Sequence, residues 1–109
     1  MTTIPEACCT LNISGAEQER LNQMFKAVGN PTRFEILKFL ITHPACITGD
    51  IVEFLPIAQA TVSQHLKVLL DAGLVSARAD GTRRVYTVAN SGFLKLNIWL
   101  DQFWDAQPS

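Results

Sequence analysis

The stretch from Gln59 to Val88 constrains this chain more than any other. Val62, Leu66, Leu69 and Gly73 recur at helical spacing while Ala60, Ser63, Gln64 and Lys67 recur on the opposite side, which predicts a helix with one apolar and one small polar face. Gly73 sits where a left-handed residue closes a helix, and the pattern then switches to alternation in Leu74-Val75-Ser76-Ala77-Arg78. Asp80-Gly81 is a tight-turn dipeptide and Arg83 to Val88 reads as the returning strand, so residues 74–88 form a β-hairpin. A two-stranded ribbon is marginal alone and must lean on the helices before it.

Those helices are legible from their stops. Ser14 with Glu17 reads as a capping box opening a helix with Leu21, Met24, Phe25 and Val28 on one face, ended by Gly29 and Asn30. Asn30 caps the next, Pro31 occupies its first turn, and Phe34, Leu37, Leu40 and Ile41 supply an inward stripe until His43-Pro44 stops it. A short third helix, capped by Thr48 with Asp50 in its first turn, directs Ile51, Phe54 and Leu55 inward and ends at Pro56. The last helix runs from about Ser91 to Phe103 or Trp104 and is apolar on more than one face. The expected fold is mainly α with a β-hairpin wing: a winged helix-turn-helix in the order α-α-α-α-β-β-α. Its domain spans residues 14–105, between an irregular arm at 1–13 and a tail at 106–109.

A chain of 109 residues forms one small domain that buries roughly two-thirds of its unfolded surface, so self-association is expected. The surplus apolar area of the last helix assigns a homodimer interface to its Phe93, Leu94, Leu96, Ile98, Trp99, Leu100 and Phe103. No apolar run approaches a membrane span, and the start MTTIPEACCTL lacks the pattern of a secretory signal, so the expected compartment is the cytoplasm, with reduced thiols.

The formal charge of −1 argues against a basic coat over the whole surface. Residues 61–90, however, carry Lys67, Arg78, Arg83 and Arg84 against Asp71 and Asp80, a surplus of two positive charges where the hairpin and the polar-faced helix lie. A helix fills the major groove of duplex DNA, and a hairpin beside it follows the backbone or enters the minor groove. Gln59 and Gln64 can donate and accept at base edges, Thr61 and Ser63 can bond to phosphate or base, and Lys67 can neutralise phosphate or donate to guanine. Arg83 and Arg84 alternate across their strand, so at most one of the two points to the helix side, where one phosphate contact per wing is expected, and the other reaches sideways or pairs with an acid. His65 stands beside that face, as a phosphate donor or a satisfied structural imidazole. No nucleophile, base and orienting group converge: Ser63 and His65 point to different sides of one helix, so no enzyme is expected.

Cys8, Cys9 and Cys46 are the only cysteines, an odd number that suits no disulfide framework. Three thiols match trivalent arsenic or antimony, which form three bonds to sulfur in a pyramid, whereas structural zinc takes four ligands. His43 stands three residues before Cys46 as a possible fourth ligand or an ordinary helix-end residue. Cys46 also reads as a small buried hydrophobe with the Cys8-Cys9 pair incidental to it.

The segments FKAVGNPTRFEILKFL and QATVSQHLKVLLDAGLVSARADGTRRVYTV together resemble the arsenic-repressor (ArsR/SmtB) family of winged-helix metalloregulators, over about residues 20 to 105. The resemblance implies a dimeric repressor that holds double-stranded operator DNA and releases it on binding an effector, with the first helix, through Leu21 and Met24, and the last helix at the dimer interface. It maps Gln59, Ser63, Gln64, His65 and Lys67 onto the recognition helix and Arg83 and Arg84 onto the wing. Ala58 departs from the family's frequent serine cap, and residues 51–55 lack the cysteine pair of an ELCVCDL-like stretch. The last helix has Asp101 and Asp105 but no histidine, which argues against a zinc or nickel site there. The resemblance therefore implies the family's trivalent arsenic or antimony sensors that recruit an arm cysteine pair and one core cysteine, here Cys8, Cys9 and Cys46. The metalloid acts as inducer, and DNA binding itself needs no cofactor. A redox or persulfide sensor using the same thiols is the alternative.

Overall fold

The computed structural model describes residues 13–105. Five helices and three strands follow in the order α1 (Gly15–Val28), α2 (Pro31–Thr42), β1 (Cys46–Ile47), α3 (Thr48–Phe54), α4 (Gln59–Asp71), β2 (Val75–Asp80), β3 (Arg83–Val88) and α5 (Asn90–Asp105). The winged helix-turn-helix is present with one addition. Cys46 and Ile47 form a short strand that pairs antiparallel with β3, placing Cys46 opposite Tyr86 and making a three-stranded sheet in the order β1-β3-β2. Two residues are too few to show alternation in a sequence.

Asn30 caps α2 as expected, its Oδ1 accepting from the Arg33 amide at 3.0 Å, with Pro31 in the first turn. Two other caps differ from expectation. Ser14 precedes α1 but makes no side-chain cap bond. Thr48 lies inside α3, where Ile47 takes the cap position and its amide donates to Asp50 Oδ2 at 3.0 Å. The carboxylate thus supplies the bond expected from a threonine hydroxyl.

The core holds Leu21, Met24, Ile36, Leu37, Leu40, Ile51, Val62, Leu66, Leu69 and Leu74. The expected α2 stripe is rotated: Ile36, Leu37, Phe39 and Leu40 are buried, whereas Phe34 and Ile41 are 49 % and 61 % exposed. Six apolar residues crowd this twelve-residue helix, so periodicity selects no unique face and packing against α1, α4 and β3 decides it. Phe54 is likewise exposed beside Phe39, at 4.6 Å between ring centroids, and Phe25 turns outward to an edge contact with Trp99 at 5.3 Å.

The helix-to-hairpin junction is built on Gly73 at φ +77°. The Gly73 amide donates to Leu70 O and the Leu74 amide to Leu69 O, each at 3.0 Å, the paired bonds of a Schellman stop. Asp80 and Arg83 pair across the hairpin tip, so the connecting residues are Gly81 and Thr82, one position later than the Asp80-Gly81 dipeptide suggested. Gly81 at φ +64° is the first of the two and the only one with positive φ, as in a type II′ turn.

Candidate nucleic-acid interface and thiol cavity

The apolar side of α4 disappears into the core, with Val62, Leu66 and Leu69 fully buried. Gln59, Thr61, Ser63, Gln64 and Lys67 are therefore exposed on the remaining surface. Alternation along β3 puts Arg84 and Tyr86 on one side of the sheet, and that side faces α4. Ser63 and Lys67 join Leu70, Asp71, Arg84 and Tyr86 around a groove of about 380 Å³ between helix and wing. Arg84 lies over the Tyr86 ring, 5.9 Å from its centroid. Arg83 is exposed and does not line this groove.

Lys67 Nζ stands 3.7 Å from Asp71 Oδ2, with both side chains largely exposed. Such a pair is weak and readily exchanged for phosphate oxygens. A helix of major-groove width, two cations and a hydroxyl thus converge on a concave strip where a nucleic-acid backbone would run. Tyr86 and Asp71 escaped the sequence reading as members of this strip. The two-residue step from Arg84 to Tyr86 was the signal for the first, and the four-residue step from Lys67 to Asp71 for the second.

His65 is half-buried, and its Nδ1 lies 3.3 Å from Arg33 Nη1. Burial first, and the Arg33 charge second, push its pKa below the ordinary 6.5. A neutral ring accepts from the guanidinium, which favours the structural-imidazole side of the sequence reading. Arg33 had no sequence signal, since its partner is 32 positions away.

Cys46 is buried, 4 % exposed, and its thiol donates to the His43 carbonyl. Burial, then the Asp50 charge, raises its pKa above the ordinary 9.0, so it is a thiol at neutral pH. It lines a cavity of about 430 Å³ with Phe39, His43, Pro44, Ala45, Asp50, Glu53 and Phe54. Ala45, just before it, is held at φ +65°, a left-handed strain rare outside glycine. The His43 ring stacks on Phe39 at 4.3 Å, and its Nδ1 lies 2.9 Å from Thr42 Oγ1 and 3.1 Å from Phe39 O, the surroundings of a helix-end residue. Cys8 and Cys9 lie outside the described residues. Among the described residues, no three His, Cys, Asp or Glu side chains cluster as a metal site.

Of the residues assigned to a dimer interface, Leu21 and Met24 fill the chain's own core, 5 % and 1 % exposed. Phe93, Leu96 and Trp99 are half-buried against that core, while Leu94, Ile98, Leu100 and Phe103 are exposed on α5. No helix among the described residues is long and apolar enough to cross a membrane.

A buried-backed recognition helix set beside a cationic wing defines a winged-helix DNA-binding regulator. The family model for the bacterial regulatory proteins of the arsR family matches residues 30–77. A helix-turn-helix-type transcriptional regulator of Mycobacterium tuberculosis is 40 % identical over 83 residues, covering 76 % of this chain and 77 % of that protein. An arsenical resistance operon repressor of Staphylococcus xylosus is 34 % identical over 83 residues, covering 76 % and 79 %. A crystal structure described as a possible transcriptional regulator for arsenical resistance superposes with a TM-score of 0.67 at 32 % identity, covering 75 % of this chain and 84 % of that one. The chain belongs to the arsR family and is a DNA-binding transcriptional repressor, not an enzyme.

Proposed function

We propose that this repressor holds operator DNA as a homodimer and releases it when As(III) or Sb(III) is bound by the thiols of Cys8, Cys9 and Cys46. The carrying observation is the position of Cys46: beside a cavity of about 430 Å³ and in a strand paired with the wing's central strand. The name of the S. xylosus relative, an arsenical resistance repressor, supports the same effector class. The contacts to DNA are assigned to Gln59, Thr61, Ser63, Gln64 and Lys67 on α4 and to Arg84 on the wing, with Arg83 at its outer edge; His65, half-buried and bonded to Arg33, supports this face without being assigned a DNA contact.

The raised Cys46 pKa discriminates among effectors. A divalent cation binds thiolate and must expel the proton, so its affinity falls with a higher thiol pKa. A neutral metalloid hydroxide instead condenses with thiols: each S–H proton leaves with a hydroxide as water, no electrons move, and no net proton is released. A protonated, buried Cys46 is therefore less of a handicap for arsenite than for zinc or cadmium. Redox sensing that starts at Cys46 requires its thiolate, which the same burial disfavours.

The closing of thiols around the metalloid requires Cys46 to give up its bond to the His43 carbonyl. The backbone of Cys46 is paired with Tyr86, and Tyr86 lines the α4–wing groove with Arg84. A 100-fold loss of operator affinity corresponds to about 2.7 kcal/mol of coupling between thiol site and DNA face. The test counts bound arsenic per chain and titrates DNA in wild type and in C8S, C9S and C46S. The expected outcome is intact DNA binding by all four and release by arsenite in wild type alone. Arsenite release by C46S overturns the assignment, and release by mild oxidant but not arsenite transfers the trigger to redox chemistry.

A further inference from the structure

The geometry points to Arg33 as a positioning residue for operator recognition: its guanidinium seats the recognition helix by holding the His65 ring while anchored to the end of α1. The inference rests on DNA reading by α4 and is independent of the thiol effector.

Three elements meet at this one side chain. Arg33 Nε donates to Ala27 O at 2.9 Å and Nη2 to Lys26 O at 3.3 Å, both in the last turn of α1. Carbonyls there have no partner within their own helix, so the guanidinium closes the α1 terminus. Its backbone amide meets the Asn30 cap at 3.0 Å, which fixes the start of α2. Nη1 then reaches His65 Nδ1 at 3.3 Å on α4. Arginine cannot lose its proton, so the ring must present a lone pair at Nδ1 and carry its hydrogen on Nε2.

The core contacts of α4, through Val62, Leu66 and Leu69, are aliphatic and carry no directional bond. The planar fork of Arg33, pinned to two backbone carbonyls, supplies a directional stop. Helix side chains reach about 5–6 Å from the axis, so a roll of roughly 15° moves the tips of Ser63, Gln64 and Lys67 by about 1.5 Å. That displacement breaks a hydrogen bond to a base edge but leaves a diffuse attraction to phosphate almost unchanged.

The test uses the full chain and two DNA probes: the tightest duplex that the wild type selects from a randomised library, and a scrambled duplex of equal length. R33M and H65L are expected to bind the selected duplex about 10-fold more weakly and the scrambled one within about 3-fold, with the salt slope unchanged because no phosphate contact is lost. H65Q, whose amide oxygen can accept from the guanidinium, recovers most of what H65L loses. Nitrogen-15 shifts of the wild-type imidazole report an Nε2–H ring, and R33M alters that signature. A salt slope reduced by about one in R33M means direct phosphate contact and overturns the inference, as do equal losses on both duplexes. Should R33M fail to fold, the H65L and H65Q pair with the wild-type imidazole shifts decides: wild-type affinity in H65L, or an Nδ1–H ring, overturns it.

Discussion

At the scale of single residues, Lys67 and Cys46 make opposite uses of solvent. Among the described residues Lys67 is held only by an exposed carboxylate at 3.7 Å, so DNA phosphate can take over the ammonium at little cost. Replacing Lys67 or Arg84 by Ala is expected to lower the salt slope of operator binding by about one per lost phosphate contact, read by anisotropy titrations over a range of salt. An unchanged slope removes that residue from the interface. Cys46, by contrast, is kept out of water and folded with a pKa above that of the unfolded chain. Its contribution to stability is fully present below the ordinary 9.0 and is lost as pH rises through the higher folded value. Urea midpoints should therefore fall more steeply above that pH in wild type than in C46A. His65 has the reverse sign: its folded pKa lies below 6.5, so its contribution is present above 6.5 and is lost as pH falls through the lower folded value.

At the scale of elements, the junction between α4, the hairpin and α5 depends on two glycines facing each other. A Cβ on Gly92 would lie 1.9 Å from Gly73 O and 2.9 Å from its carbonyl carbon, backbone atoms that cannot swing aside. G92A is expected to destabilise the fold by about 1–3 kcal/mol, the range for overpacking, with α5 lifted from the hairpin. Urea denaturation checks the magnitude, and a neutral result means α5 moves freely over Gly73. The Gly73 stop was readable in the sequence because a helical stripe ended there and strand alternation began. Its contact with Gly92 was not, since neither glycine carries a side chain whose pattern could announce it. The same division runs through the site. Ser63, Gln64 and Lys67 were legible because Val62, Leu66 and Leu69 define the opposite face unambiguously, whereas α2 is apolar nearly all round and its Phe34 and Ile41 were assigned inward. The two-residue strand at Cys46 and the Arg33–His65 bridge depend on partners more than 30 positions away, which no local period encodes.

At the scale of the whole molecule, the described chain leaves α5 with more apolar surface than its own core uses. Leu94, Ile98 and Phe103 are 58 %, 49 % and 47 % exposed, and Trp104 is 71 % exposed. These four side chains are already partly buried, so covering the rest of them against a partner contributes roughly 3–7 kcal/mol per chain before the costs of ordering and association. With Leu21 and Met24 enclosed in the chain's own core, the proposed homodimer would rest on the exposed residues of α5. Substitutions there test association without emptying the core. If the proposed dimer forms, wild type sediments as a dimer at micromolar concentrations, and I98E/F103E is expected to sediment there as a monomer while keeping its helical circular dichroism. Two recognition helices roughly 34–36 Å apart engage successive major grooves of one duplex, so losing the linkage between them removes the avidity of paired half-sites. Operator affinity should then fall by about 100-fold or more, while binding to an isolated half-site is unchanged. A double variant that still sediments as a dimer places the interface elsewhere, and one that is monomeric yet binds the full operator as tightly as wild type shows that a single wing and helix suffice.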